Sequence, residues 1–203
     1  MKKILYLVMG ALILIIGYTS FFFHPQSKKT VLWSGLLICF GDSLTYGTGA
    51  EEGMDYPSQL SKMVSKPVIN AGIPGNTTTQ ALKRLEQDVL SRSPGLVLIT
   101  LGGNDLKNGV AKETAFRNLK IIVETIQSHG ARVIIGGIKF PFRDRGFGKG
   151  YKALADQTGA ILIPNILKGI MGNRKLMNDP IHPNADGYQI MAQRFLDEIA
   201  QRD

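Results

Sequence analysis

The chain has 203 residues, with 24 lysines and arginines against 16 aspartates and glutamates, one cysteine and 44% hydrophobic residues. That length accommodates one globular domain with a full core, the apolar content excludes a disordered chain, and the lone Cys39 excludes a disulfide framework. The net charge of +8 comes from cations scattered among acids, with no basic helix interleaved with aromatics, so nucleic acid is not the expected partner.

The first element is apolar. Ile4 to Phe23 are 20 residues without a formal charge, preceded by Lys2 and Lys3. As a helix at about 1.5 Å per residue they span about 30 Å, the hydrocarbon thickness of a bilayer. Tyr18-Thr19-Ser20-Phe21 offers no small-x-small cleavage site, and no lipobox cysteine follows. The expectation is an uncleaved signal anchor over 1–24, a tether over 25–35 and a folded domain over 36–203, with a cleaved signal as the alternative. Lys2 and Lys3 favour a cytoplasmic N-terminus and a domain on the far side of the membrane.

Beyond the tether, strand and helix patterns alternate. The continuous apolar run Leu36–Phe40 reads as a strand covered on both faces, as do Pro67–Asn70, Leu96–Leu101, Val133–Ile138 and Ala160–Ile163. Between and after them, helical spacing links Leu82, Leu85 and Val89, then Phe116, Leu119, Ile122, Val123 and Ile126, and finally Met191, Phe195 and Ile199. Such βα repeats predict an α/β fold, a five-stranded parallel sheet with helices on both faces. A basic cluster of Lys139, Arg143, Arg145, Lys149 and Lys152 reads as a loop, either simply solvated or attracting anionic headgroups or acidic substrates. Mid-strand Cys39 reads as a small buried hydrophobe.

Ligands of open α/β sheets bind outside the carboxyl ends of the strands. The segments there are Gly41-Asp42-Ser43-Leu44, Gly72-Ile73-Pro74-Gly75-Asn76, Gly102-Gly103-Asn104-Asp105 and, before the last helix, Asp179-Pro180-Ile181-His182-Pro183-Asn184. Ser43 at a strand-to-helix turn fits a nucleophile, but taken alone it reads more readily as a helix N-cap. Of three histidines, His24 adjoins the apolar segment and His129 sits at a helix end before Gly130. His182 alone lies at the ligand edge, with Asp179 three residues upstream to hold its second nitrogen. A capping Asp beside a surface His is the bland alternative. The Ser43 N–H, the Gly75 N–H and the Asn104 amide are candidate donors to a developing oxyanion; the glycine would let the backbone approach closely.

Taken together and in this order, the four segments resemble the SGNH hydrolases of the GDSL family, closest to the bacterial arylesterase, acyl-CoA thioesterase and lysophospholipase branch. The resemblance spans about Leu36 to Gly187. It implies a three-layer flavodoxin-like sandwich, Ser43 as nucleophile, His182 as general base and Asp179 as its orienting partner. Gly75 and Asn104 would join Ser43 in the oxyanion hole, with Asp42 and Asp105 as supporting residues. The implied reaction is hydrolysis of an acyl ester, thioester or lysophospholipid through an acyl-enzyme. No cofactor or metal is called for, since neither ligand-spaced clusters nor phosphate-loop glycines occur. Leu106, Val110, Phe140, Phe142 and Ile181 are candidate acyl-groove residues. A carbohydrate deacetylase or acyltransferase with the same site, or a binding domain without turnover, are the alternatives.

Overall fold

A computed structural model describes residues 33–64, 66–140 and 144–201. Five parallel strands, β1 (Leu36–Gly41), β2 (Val68–Gly72), β3 (Pro94–Thr100), β4 (Arg132–Gly136) and β5 (Ile161–Ile163), lie in the order β2-β1-β3-β4-β5. The helices are α1 (Ser43–Tyr46), α2 (Tyr56–Val64), α3 (Thr78–Asp88), α4 (Gly103–Lys107), α5 (Lys112–Ser128), α6 (Phe147–Thr158) and α7 (Ala185–Ala200), with a 3₁₀ turn at Leu90–Arg92. The expected transmembrane span, most of the tether and Phe142 lie outside the described residues. Among the described residues no helix is long and apolar enough to cross a membrane.

Strand side chains alternate between two cores because the strand period is two. Ile38, Phe40, Val97, Ile99, Val133 and Ile135 meet Ala81 and Leu85 of α3, the buried stripe of α5, and Phe147, Tyr151 and Leu154 of α6. Leu37, Cys39, Leu96, Leu98 and Ile134 point the other way, onto Tyr56 and Leu60 of α2 and Tyr188, Met191, Phe195 and Ile199 of α7. A layer of helices therefore covers each face, as the uninterrupted apolar runs require. Trp33, assigned to the tether from sequence, joins the second core at 8% exposure and carries Lys66 4.8 Å above its ring.

Three helices went unread in the sequence, the five-residue α4 among them. Helix α2 packs beside α7 in the second core, and α6 replaces the loop expected through the basic cluster, placing Lys149 and Lys152 on its surface. His129 is the C-cap of α5, with Nδ1 2.8 Å from the Thr125 carbonyl, where a helix end accounts for it. Cys39 is fully buried, and burial pushes its thiol far up, so it carries no thiolate.

The strand order places the crevice. From β1 the chain moves outward to β2, then returns to lay β3 on the other side of β1. Connections that leave adjacent strands in opposite directions open a cleft between them at their carboxyl ends. Segments after β1 and β3, carrying Ser43 and Asn104, flank this cleft.

Candidate active site

Gly41 ends β1 and Asp42 begins the turn into α1. A side chain at Gly41 would lie 2.0 Å from Thr45 Oγ1 and 2.6 Å from the Thr100 carbonyl, so only glycine lets the turn close against β3. Asp42 is the N-cap: its Oδ1 accepts the Leu44 N–H at 3.0 Å. Ser43 is therefore the first residue of the helix and not its cap, and its half-buried hydroxyl is free of capping duty.

The imidazole reaches it from the far end of the chain. His182 Nε2 lies 3.1 Å from Ser43 Oγ, and His182 Nδ1 lies 2.7 Å from Asp179 Oδ2. Local geometry sets this up. Asp179 Oδ1 accepts the N–H groups of Ile181 and His182, both at 2.8 Å, which closes the turn and aims Oδ2 at the ring. Asn178 N–H donates to the His182 carbonyl at 2.9 Å, and Asn184 caps α7 through Gly187 N–H at 3.1 Å. Desolvation works to raise the Asp179 carboxyl, but the His182 side chain and the two N–H bonds outweigh it, and the net shift is downward. Asp179 therefore stays ionised at neutral pH.

Asn104 sits in the first turn of α4. Its Nδ2 donates to Asp42 Oδ2 at 3.1 Å and to the Asn76 carbonyl at 3.0 Å. Asp42 is 2% exposed, and burial pushes its carboxyl up to about 7, with Asp105 adding and the Leu44 N–H and Arg84 opposing. Asp105 holds the next loop, accepting from Thr78 N–H at 2.9 Å and Thr78 Oγ1 at 2.7 Å. Gly75 is exposed with a φ of 81°, and a side chain there would meet nothing within 4 Å. Its left-handed backbone favours glycine, and the open space beside it leaves room for a substrate to approach the backbone.

Sequence reasoning passed over Arg84 on α3. Its guanidinium donates to the Asn76 side-chain oxygen and the Gly41 carbonyl, both at 2.7 Å, to the Ala71 carbonyl at 3.0 Å and to Asp88 at 2.7 Å. One rigid fork thus ties the carboxyl ends of β1 and β2 to the Asn76 loop. Its partners are scattered along the chain, so no local motif advertised it.

A cavity of about 890 Å³ opens beside Ser43 and His182, within the range of small-molecule sites. Of the expected acyl-groove residues, Leu106, Phe140 and Ile181 line it. Val110 does not: beyond Gly109 the chain folds back, Val110 N–H donating to the Asp105 carbonyl at 2.9 Å. Ile138, Leu167, Met171 and Met177 complete the apolar wall. Three of these come from the stretch between β5 and α7, which forms no helix or strand; so long an irregular segment is usually functional. Lys107, Arg145 and Arg174 also line the cavity. The side chains of these three make no ion pair or hydrogen bond among the described residues.

An ester hydrolase of the serine type is the class that this fold and site define. The chain belongs to the GDSL-like lipase/acylhydrolase family, whose pattern matches residues 39–190. Esterase TesA of Pseudomonas aeruginosa is 32% identical over 158 residues, covering 72% of this chain and 79% of that relative. Thioesterase 1/protease 1/lysophospholipase L1 of Escherichia coli K12 is 29% identical over 164 residues, covering 77% and 79% respectively. The crystal structure of TesA matches with a TM-score of 0.76 at 29% identity, over 80% of this chain and 96% of that one.

Proposed function

We propose that the protein hydrolyses acyl esters or thioesters that carry an apolar acyl chain and a phosphate-bearing leaving group, through an acyl-enzyme on Ser43. The carrying observation is the Ser43–His182–Asp179 relay opening on an apolar cavity whose lining includes three cationic side chains without a partner among the described residues. Nε2 of His182 takes the Ser43 proton as Oγ attacks the carbonyl carbon, and returns it to the leaving oxygen or sulfur. Asp179 holds the Nδ1 proton and stabilises the imidazolium. The Ser43 N–H, Gly75 N–H and Asn104 amide receive the oxyanion. Water then attacks the acyl-enzyme with His182 again as base. The acyl chain lies along Leu106, Phe140, Leu167 and Met171, where thioether flexibility suits chains of different shape. Lysophospholipids and acyl thioesters of phosphorylated carriers share the chemistry that Lys107, Arg145 and Arg174 would bind.

A substrate panel tests this. On p-nitrophenyl esters from acetyl to palmitoyl, kcat/KM is expected to rise about four-fold per methylene accommodated, from roughly 0.8 kcal/mol each, until the cavity is filled. A strict acetyl preference would overturn the acyl-chain reading in favour of a deacetylase. Exposed charges contribute roughly 0.2–1 kcal/mol each, so Arg145→Gln with Arg174→Gln is expected to raise KM about 2–30-fold for a lysophospholipid or an acyl-CoA. The same pair should leave a neutral monoacylglycerol unaffected. Whichever phosphate substrate shows the larger effect identifies the source of the headgroup.

The apolar run Ile4–Phe23 supports placing this domain on a membrane surface outside the cytoplasm, tethered by an uncleaved anchor over 1–24. Full-length protein is then expected to sediment with membranes. A soluble product beginning near residue 25 would establish cleavage instead.

A further inference from the structure

Asn104 has two amide hydrogens, and both are already committed. One goes to Asp42 Oδ2 at 3.1 Å and the other to the Asn76 carbonyl at 3.0 Å. These acceptors differ in kind. Asp42 is 2% exposed and cannot swing away, because its other oxygen accepts the Leu44 N–H at 3.0 Å. As the N-cap of α1 it is also joined directly to Ser43, the next residue. Asn76 is 8% exposed and presents a neutral backbone carbonyl, its side chain being pinned by Arg84 at 2.7 Å.

We propose that Asp42 is a positioning residue for the Asn104 amide, with the Asn76 carbonyl as the acceptor that the substrate oxyanion displaces. Burial raises the Asp42 carboxyl to about 7, so above that pH it is ionised, and a hydrogen bond to an ionised acceptor is roughly twice as strong as one between neutral groups. A developing oxyanion therefore takes the proton held by the neutral Asn76 carbonyl, while Asp42 keeps the other and fixes the amide plane. Ground-state substrate carries a neutral carbonyl and gains little over Asn76, so the contact forms mainly in the transition state. Asp42 accordingly acts on kcat and hardly on KM. This rests on the reading of Asn104 as an oxyanion donor.

A double-mutant cycle on one p-nitrophenyl ester with the full chain tests it, thermal melting being recorded for every variant. Asn104→Ala is expected to lower kcat by about 10²–10³. Asp42→Asn supplies a single acceptor for the two donors that Asp42 now serves, and is expected to lower kcat by up to about 10², the cost of misplacing a catalytic group by about 1 Å, with KM little changed. Combined with Asn104→Ala it should add almost nothing, because the group it positions is gone. Asp42→Ser guards against misfolding: serine caps a helix as well as aspartate but is too short to reach Asn104, so its kcat should fall while its melting point stays near the parent's. If the Asp42 and Asn104 effects multiply, or the Asp42 loss lies in KM, the positioning role is wrong. If Asn104→Ala itself leaves kcat unchanged, the oxyanion reading is what fails.

Discussion

Ser43→Ala is expected to lower kcat by about 10⁶-fold, the scale lost when the nucleophile of a serine hydrolase relay is removed. The hydroxyl supplies the covalent bond through which the reaction is divided into two easier steps, and no neighbouring group replaces it. Cys39 is buried with its thiol held protonated, and Thr45 bonds to Tyr56 and Thr100 behind the turn. Residual turnover should come from donors that still polarise the bound carbonyl, a contribution of about 10³–10⁴ over water. Folding should survive the change. Ser43 Oγ has His182 as its hydrogen-bond partner among the described residues, and the helix is capped by Asp42. A melting curve close to the parent's, with ester hydrolysis lost and substrate binding retained, is the expected pair of measurements. Turnover within ten-fold of the parent would remove Ser43 from the chemistry.

The strands were legible in the sequence because the sheet is covered on both faces. Leu36–Phe40 against the observed Leu36–Gly41, or Val133–Ile138 against Arg132–Gly136, differ only at their ends. The order of the strands left no local trace, since it depends on which way each crossover turns. Helix α6 was hidden by Gly148 and Gly150, which disfavour a helix by about 1 kcal/mol each, although Phe147, Tyr151 and Leu154 carry helical spacing. The reason for Gly150 lies in another element. A side chain there would come within 2.3 Å of the Phe116 ring, which packs edge-on to Phe147 and Tyr151.

The same contrast divides the site. Asp179 and His182 are three residues apart, and a turn closed by the carboxylate's own backbone bonds brings them together, so the pair was readable. The Asn104 partners come from loops after two other strands, and Arg84 joins four segments; their roles emerge only from the assembled sheet. The apolar wall of the cavity is intermediate. Leu106 and Ile181 adjoin recognisable motifs, whereas Leu167, Met171 and Met177 belong to a segment whose only signal was an aperiodic stretch too long for a simple connection.

Asp179→Asn separates charge and tautomer from geometry and is expected to lower kcat on the order of 10⁴-fold. The amide oxygen can still accept the Ile181 and His182 N–H groups, which preserves the turn. The amide nitrogen then faces His182 Nδ1 and donates to it, so Nδ1 must be unprotonated and Nε2 must carry the hydrogen. An Nε2–H directed at Ser43 Oγ cannot accept the serine proton, and the imidazolium formed in the transition state loses its counter-charge. The carboxylate also leaves a signature in stability. Its folded-state pKa lies below the usual 3.8, so its contribution is present above that value and is lost as pH falls through the folded pKa. The variant should melt below the parent at neutral pH, and the gap should close on acidification below about pH 4 as the parent loses that contribution. Near-parent kcat in a folded Asp179→Asn protein would show that the carboxylate does not orient His182.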